Sequence, residues 1–128
     1  MISLQQFLVN EVNKNNTQAE TCLQKIKEDT AYGIQWYTES LYKSQFMNDL
    51  INEVLDNLLR GKSEEECVNE ALEKATNQLT KGQTITTSSS LMVMVISLWQ
   101  NQCFQEFHRL MTWAEYFIQY ETSNKKQK

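Results

Sequence analysis

Residues that break helices are almost absent from this 128-residue chain. It contains no proline, and its three glycines are Gly33, Gly61 and Gly82. Proline removes a backbone donor and clashes with the preceding helical turn, and glycine costs about 1 kcal/mol in a helix interior. Long stretches are therefore free to be helical. The sequence predicts an all-α domain, a compact bundle of five or six helices.

The middle of the chain is expected to form an antiparallel helical hairpin over about residues 44–80. Its first helix is predicted to begin near Ser44, and Gly61 is placed to close it with a left-handed cap. Ser63 followed by Glu66 fits a capping box that opens the second helix, which Gly82 ends. The first helix carries its apolar residues at helical spacing: Met47, Leu50, Ile51, Val54, Leu55 and Leu58.

The N-terminal part reads as separate shorter helices. Ser3 with Gln6 fits a capping box, and the polar run 13–16 is predicted to interrupt the apolar face that follows. Thr17 with Glu20 offers a second capping box after that interruption. We place one helical domain at 1–121 and a frayed basic tail at 122–128.

A long, largely buried C-terminal helix is expected over about residues 90–121, capped by one of the serines 88–90. Its predicted inner seam contains Ile96, Cys103, Phe107, Leu110, Ala114 and Phe117. Further apolar residues lie off this seam, and a helix that is apolar over most of its circumference is buried centrally or covered by a partner chain. The pattern therefore predicts a homodimer with Phe104, Met111 and Ile118 near the contact.

Composition excludes several functional classes. The formal net charge is −4, whereas nucleic-acid binding is driven by clustered Lys and Arg, so no direct nucleic-acid partner is expected. The N-terminal segment 1–9 lacks the basic region and cleavage site of a signal peptide. The most apolar run, Leu91–Trp99, is too short to span a bilayer. These features predict a cytoplasmic protein that does not bind membranes.

No motif for a cofactor or a structural metal stands out. Cys22, Cys67 and Cys103 are far apart in sequence and form no Cys-x-x-Cys pair, so we expect buried core thiols rather than disulfides or a zinc site. The one histidine, His108, is expected to be a half-buried structural residue. We therefore predict a protein without a cofactor and without enzymatic activity.

Carboxylates form the most distinctive charged pattern. Segment 44–80 contains eight acidic and three basic residues, a local charge of −5. On each predicted hairpin helix, three of the acids recur at positions 0, 4 and 7, which places them on one side of the helix. The two stripes are Asp49, Glu53 and Asp56, followed by Glu66, Glu70 and Glu73.

Three interpretations of these stripes remain open. They can be the solvated outer face that any amphipathic helix needs. They can form a docking surface for a protein with a basic surface, as in an inhibitor, an immunity-type protein or an adaptor. They can also hold a divalent metal ion, because clustered carboxylates on facing helices bind Mg²⁺, Mn²⁺ or iron.

The metal interpretation has one local resemblance to a known family. The run Glu53-Val54-Leu55-Asp56 resembles the Glu-x-x-Asp element of the all-α nucleoside triphosphate pyrophosphatases. In that family a Glu-Glu-x-x-Glu element comes before it, whereas here Glu64-Glu65-Glu66 comes after it. The resemblance covers four residues and implies, as the alternative function, a metal-dependent all-α hydrolase that uses the hairpin carboxylates.

Aromatic residues form two further groups. Most large aromatic side chains in a small domain belong to the core, but Tyr and Trp are also favoured at protein interfaces. The chain has 13 aromatic residues, slightly more than one bundle core requires, so one group is a candidate interface. The groups are Tyr32, Trp36, Tyr37 and Tyr42, and then Trp113, Tyr116 and Tyr120.

Overall fold

The structure is a computed structural model that describes residues 3–28, 34–82 and 90–126. Within these ranges the backbone forms four α-helices and no strand, which confirms the all-α class. The expected count of five or six helices is wrong. The helices are α1 Leu4–Glu28, α2 Ile34–Leu59, α3 Glu64–Gly82 and α4 Leu91–Lys126.

The count is lower because α1 continues through the polar run 13–16. Lys and Asn lower helix stability by less than about 0.7 kcal/mol each, which neighbouring turns can offset. Thr17 does not cap a new helix, since its hydroxyl donates to the backbone oxygen of Asn13 one turn earlier, at 3.1 Å. Such a bond is typical of threonine inside a helix.

Helix α2 begins at Ile34, ten residues before the expected start near Ser44. Ser44 is buried inside the helix instead of capping it. The apolar spacing after Ser44 does mark the inward face of α2, because Leu50, Ile51 and Val54 are all buried. The connection at 29–33, which includes Gly33, lies outside the described residues.

The predicted N-terminal caps at Ser3 and Ser63 are confirmed. The Ser3 hydroxyl accepts a bond from the Gln6 amide at 3.1 Å, and Ser63 does the same for Glu66 at 3.1 Å. The Ser90 hydroxyl accepts from the Val93 amide at 3.3 Å and caps α4. Each serine satisfies one of the amides that the first turn of a helix leaves without a partner.

Gly61 ends α2 as predicted. Its φ of 97° lies in the left-handed region, where a side chain is strained. The amide of Lys62 donates to the oxygen of Asn57 at 3.3 Å, and the amide of Gly61 donates to the oxygen of Leu58 at 3.1 Å. This pair of bonds is a Schellman motif, and it turns the chain sharply into α3.

One hydrophobic core takes residues from all four helices. Helix α1 packs mainly along α2, and α3 packs mainly along α4. Helices α2 and α3 are joined by the expected tight turn. They contact each other less than α2 contacts α1 or α3 contacts α4. The buried core residues are Leu4, Leu8, Leu50, Ile51, Val54, Cys67, Val68, Ala71, Ala75, Phe107, Met111 and Ala114.

Contacts between side chains fix the directions of the helices. Tyr42 accepts a hydrogen bond from Gln100 at 2.9 Å, and one turn later Phe46 packs edge-on against Phe104, so α2 and α4 run parallel. The buried Asn48 donates from Nδ2 to Oδ1 of Asn16 at 2.8 Å, which ties α2 to the antiparallel α1. The four helices therefore alternate in direction along the chain.

Helix α4 is not largely buried, contrary to expectation. With 36 residues it is about 54 Å long, whereas the other three helices have 19 to 26 residues and cannot cover it along its whole length. It also continues to Lys126, so the expected tail begins inside the helix. Phe104, Met111 and Ile118, expected at a dimer contact, belong to the core or pack against it, and Met111 is fully buried.

The cysteines are free and buried, as predicted. Burial raises the pKa of the Cys103 thiol to about 11, because charge is costly away from water. The same cause raises the pKa of Cys67. His108 is half-buried, and its backbone oxygen accepts a bond from the Thr112 hydroxyl at 2.8 Å.

Replacing Gly61 tests the turn between α2 and α3. We expect Gly61→Ala to lower the free energy of unfolding by about 1 kcal/mol, because a β-carbon is strained at positive φ. No atom lies within 4 Å of the added carbon, so the loss in stability comes from the strained backbone conformation alone. Gly61→Asn is the control and should lose less, since asparagine tolerates this conformation. Equal losses in urea denaturation would contradict the explanation.

The raised pKa of Cys103 predicts a dependence of stability on pH. Unfolded, the thiol ionises near its ordinary pKa of 9.0, whereas folded it ionises near 11. Between these values the unfolded chain binds fewer protons, so the thiol's contribution to stability is complete below pH 9 and is lost towards pH 11. Urea midpoints of the wild type and Cys103→Ala should therefore converge as the pH rises. Parallel profiles would contradict this prediction.

Candidate functional site

All six predicted partner-binding carboxylates are exposed on α2 and α3. We call these residues the acidic surface. Their exposure follows from the apolar spacing, because Leu50, Ile51 and Val54 point α2 towards the core, as Cys67 and Val68 do for α3. The acidic surface consists of Asp49, Glu53, Asp56, Glu66, Glu70 and Glu73.

Two lysines neutralise part of this charge. Glu53 forms an ion pair with Lys74 of α3, and Glu70 forms one with Lys62, whose Nζ lies 3.0 Å from Oε2. The hydrogen bond to Glu70 raises the pKa of Lys62, which is charged at neutral pH in any case. In the described parts of the chain the other four acids of the surface form no ion pair.

The acidic surface is continuous between the two helices at its centre. Glu53 and Glu70 line the same small groove of about 60 Å³ between α2 and α3, together with Lys74. On the other side of Glu70, a shallow depression is lined by Glu65, Glu66 and Glu73. The two stripes thus meet at Glu53 and Glu70, with the ammonium group of Lys74 beside them.

The acidic surface is poorly arranged to coordinate a metal ion. No group of three His, Cys, Asp or Glu side chains that could hold a metal ion occurs within ranges 3–28, 34–82 and 90–126. Glu53, the first residue of the Glu-x-x-Asp element, is occupied by Lys74. A cation arriving at Glu53 would have to compete with the ammonium group already there.

A second candidate surface is aromatic. Trp113, Tyr116, Phe117 and Tyr120 stand at positions 0, 3, 4 and 7 of one helical face and are 59%, 69%, 52% and 56% exposed. We call them the aromatic stripe. Trp113, Tyr116 and Tyr120 formed one of the two candidate groups, whereas Phe117 was wrongly placed on the buried seam. Its ring lies at the edge of the bundle, 6.1 Å from that of Phe7.

The aromatic stripe borders a groove of about 670 Å³ between α1, α2 and α4. Phe7, Met47 and Leu110 supply apolar walls, and Trp113 and Phe117 form one edge. Charges of both signs surround the opening: Glu11, Lys14, Lys43, Glu106 and Arg109. The groove therefore has no single sign of charge that would select a ligand.

The other aromatic group is divided between core and surface. Tyr42 stacks on Phe46 and contacts the ring of Trp99, so it helps to join α2 to α4. Trp36 is 59% exposed and packs edge-on against Tyr37. Tyr32 lies outside the described residues. This group therefore presents a smaller apolar surface than the aromatic stripe.

The beginning of α4 exposes aliphatic side chains. Leu91, Met92, Val93 and Leu98 are each more than half exposed, at 77%, 68%, 52% and 51%. Among the described helices none combines the length and the apolar character needed to cross a membrane. Both ends of α4 thus carry large apolar residues that the described part of the chain leaves exposed.

Comparisons with known proteins found no relatives. No protein-family model matches the chain, and no curated protein or solved structure shows significant similarity to it.

We expect no stoichiometric binding of Mg²⁺ or Mn²⁺ at micromolar concentrations. Glu53 and Glu70 are already paired with Lys74 and Lys62, and the other four acids are exposed to water. Titration calorimetry of the full chain measures this directly. Micromolar binding that Glu53→Gln abolishes, while Glu20→Gln on α1 leaves it intact, would contradict the prediction and favour the metal-dependent hydrolase.

Proposed function

We propose that this protein acts without catalysis, by binding another protein that presents a basic surface, in the manner of an inhibitor, an immunity-type protein or an adaptor. Its acidic surface, on α2 and α3, is the proposed docking site. The observation that supports this proposal is that all six carboxylates are exposed and that the two stripes meet in one groove. A partner can therefore contact both helices at once.

The ion pairs within the acidic surface are compatible with this role. Lys62, Lys74 and their partners Glu70 and Glu53 are all substantially exposed. Exposed ion pairs are worth about 0–1 kcal/mol, so an arginine from a partner can displace a lysine at little cost. An arginine binds a carboxylate through two parallel hydrogen bonds from two nitrogens, whereas Lys62 contacts both oxygens of Glu70 with a single nitrogen.

Charge concentration gives the acidic surface a kinetic advantage. Segment 44–80 has a charge of −5, whereas the whole chain has −4, so the rest of the protein is close to neutral. A field concentrated on one side orients a basic partner before contact and raises the association rate. Salt screens this field over about 8 Å at physiological ionic strength, so association is expected to slow as salt rises.

We place this activity in the cytoplasm. Cys22, Cys67 and Cys103 are all free thiols. Free thiols are typical of proteins in a reducing compartment, whereas small secreted domains tend to pair their cysteines. The partner can be captured on the immobilised protein and identified by mass spectrometry.

Charge reversal of the acidic surface tests the proposal with a partner so identified. The variant Asp56→Lys, Glu66→Lys, Glu73→Lys leaves both ion pairs intact and should remain folded, because exposed changes usually cost within about 0.5 kcal/mol each. We expect its association rate constant, measured by surface plasmon resonance, to fall at least about tenfold. The dissociation rate should change less.

The matched control reverses three acids of α1: Glu11→Lys, Glu20→Lys and Glu28→Lys. It changes the net charge by the same amount but leaves α2 and α3 untouched. Association as fast as that of the wild type is expected. Equal slowing in both variants would show that only net charge matters, and unchanged association in both would exclude the acidic surface as the docking site.

A further inference from the structure

The outward face of α4 carries a pattern that is symmetric about the middle of the helix. At 100° per residue, one face carries Leu91, Val95 and Leu98 near its start and Trp113, Tyr116 and Tyr120 near its end. The steps between these residues are 4 and 3 at the start and 3 and 4 at the end. The pattern is therefore unchanged when the helix is reversed about the point between residues 105 and 106.

This face is exposed at both ends. Leu91 and Leu98 are 77% and 51% exposed, and Trp113, Tyr116 and Tyr120 are between 56% and 69% exposed. Val95 is half-buried. The middle of the face is polar and consists of Gln102, Glu106 and Arg109. We call the whole set of nine residues the outer stripe.

We propose that the outer stripe binds a second copy of this chain, with the two α4 helices antiparallel across a twofold axis near residues 105 and 106. In this arrangement Leu91 of each copy lies opposite Tyr120 of the other, Val95 opposite Tyr116, and Leu98 opposite Trp113. A twofold interface uses the same surface on both copies, so it requires the reversal symmetry that this stripe has.

Charge selects the antiparallel arrangement over the parallel one. A parallel pair would place Arg109 against Arg109, and like charges in direct opposition are destabilising. The antiparallel pair moves the two Arg109 residues about 10 Å apart along the helix. Glu106 lies near its copy in either arrangement, and it is paired with Arg109 of its own chain. The antiparallel pair also places the neutral Gln102, and not a second cation, opposite Arg109. It also sets the helix dipoles of the two copies in opposite directions, which is favourable.

The exposed area is adequate for a stable pair. If each aromatic side chain offers about 200 Å², the three aromatic residues of the outer stripe, Trp113, Tyr116 and Tyr120, leave roughly 370 Å² per copy in water. Two copies would bury roughly 740 Å² from these residues, and Leu91 and Leu98 bring the total towards the ~1,200 Å² of specific interfaces. An exposed apolar patch of this size on a small protein typically marks an interaction site.

The proposal does not depend on the proposed function, because the acidic surface lies on α2 and α3. It also differs from the dimer expected from the sequence, whose contact residues Phe104, Met111 and Ile118 pack inside the bundle. Light scattering coupled to gel filtration of the full chain at 50–100 μM should give twice the chain mass of 15.0 kDa. A monomer at these concentrations would overturn the proposal.

Trp113 and Trp36 provide a matched pair of variants, because both are 59% exposed. Trp113→Glu should weaken the dimer at least about 30-fold, as expected for a tryptophan buried in an interface, while Trp36→Glu should leave the mass unchanged. If circular dichroism shows that Trp113→Glu does not fold, Leu98→Asp tests the same contact from the other end of α4. A dimer that survives in whichever of these variants folds would overturn the proposal.

Disulfide trapping tests the register. A mixture of Gln102→Cys and Arg109→Cys chains should form a mixed disulfide on mild oxidation, because these positions are opposite each other. Neither variant alone should crosslink efficiently, and the native cysteines are buried. Crosslinking of each variant with itself, but not in the mixture, would indicate a parallel pair and overturn the antiparallel arrangement.

Discussion

Burial of apolar side chains in a single shared core is the interaction on which this structure depends. The three cysteines are free, and most of the stability of helices in proteins comes from packing of their apolar faces, so tertiary packing must hold the helices in place. Each fully buried large side chain, such as Phe107 or Ile51, contributes about 1.5–3 kcal/mol. Because this core draws on all four helices, a local defect in any of them reaches the whole bundle.

The same core decides which surfaces are left for other molecules. Burying one face of α2 and of α3 turns their carboxylates to water, while the excess length of α4 leaves apolar residues uncovered at both of its ends. The two resulting surfaces have opposite character. The acidic surface is charged and favours fast, salt-sensitive association. The exposed residues of α4 are apolar and favour association that buries apolar surface. Since they lie on different helices, binding at one need not exclude binding at the other.

Features encoded within a few residues could be predicted from the sequence, and those that depend on distant residues could not. Caps at Ser3, Ser63 and Gly61 follow from short-range geometry, and the exposure of the acids follows from the apolar spacing. The pairing of Glu53 with Lys74 joins two helices and leaves no local signal. Which side of α4 faces the core could not be predicted either, because apolar residues occur on most sides of this helix. Phe117 was therefore expected in the interior. The aromatic stripe could be located only once the packing of the other helices was known.

The hydrogen bond between Asn48 and Asn16 has a consequence for which arrangement the chain adopts. Displacing α1 by one turn, about 5.4 Å, would leave apolar residues facing apolar residues but would strand the buried amide of Asn48 without its partner. A stranded amide costs about 1–3 kcal/mol, more than the bond itself contributes to stability. This pair therefore acts mainly to fix the register of α1 against α2. It penalises neighbouring registers that leucines and valines alone would tolerate.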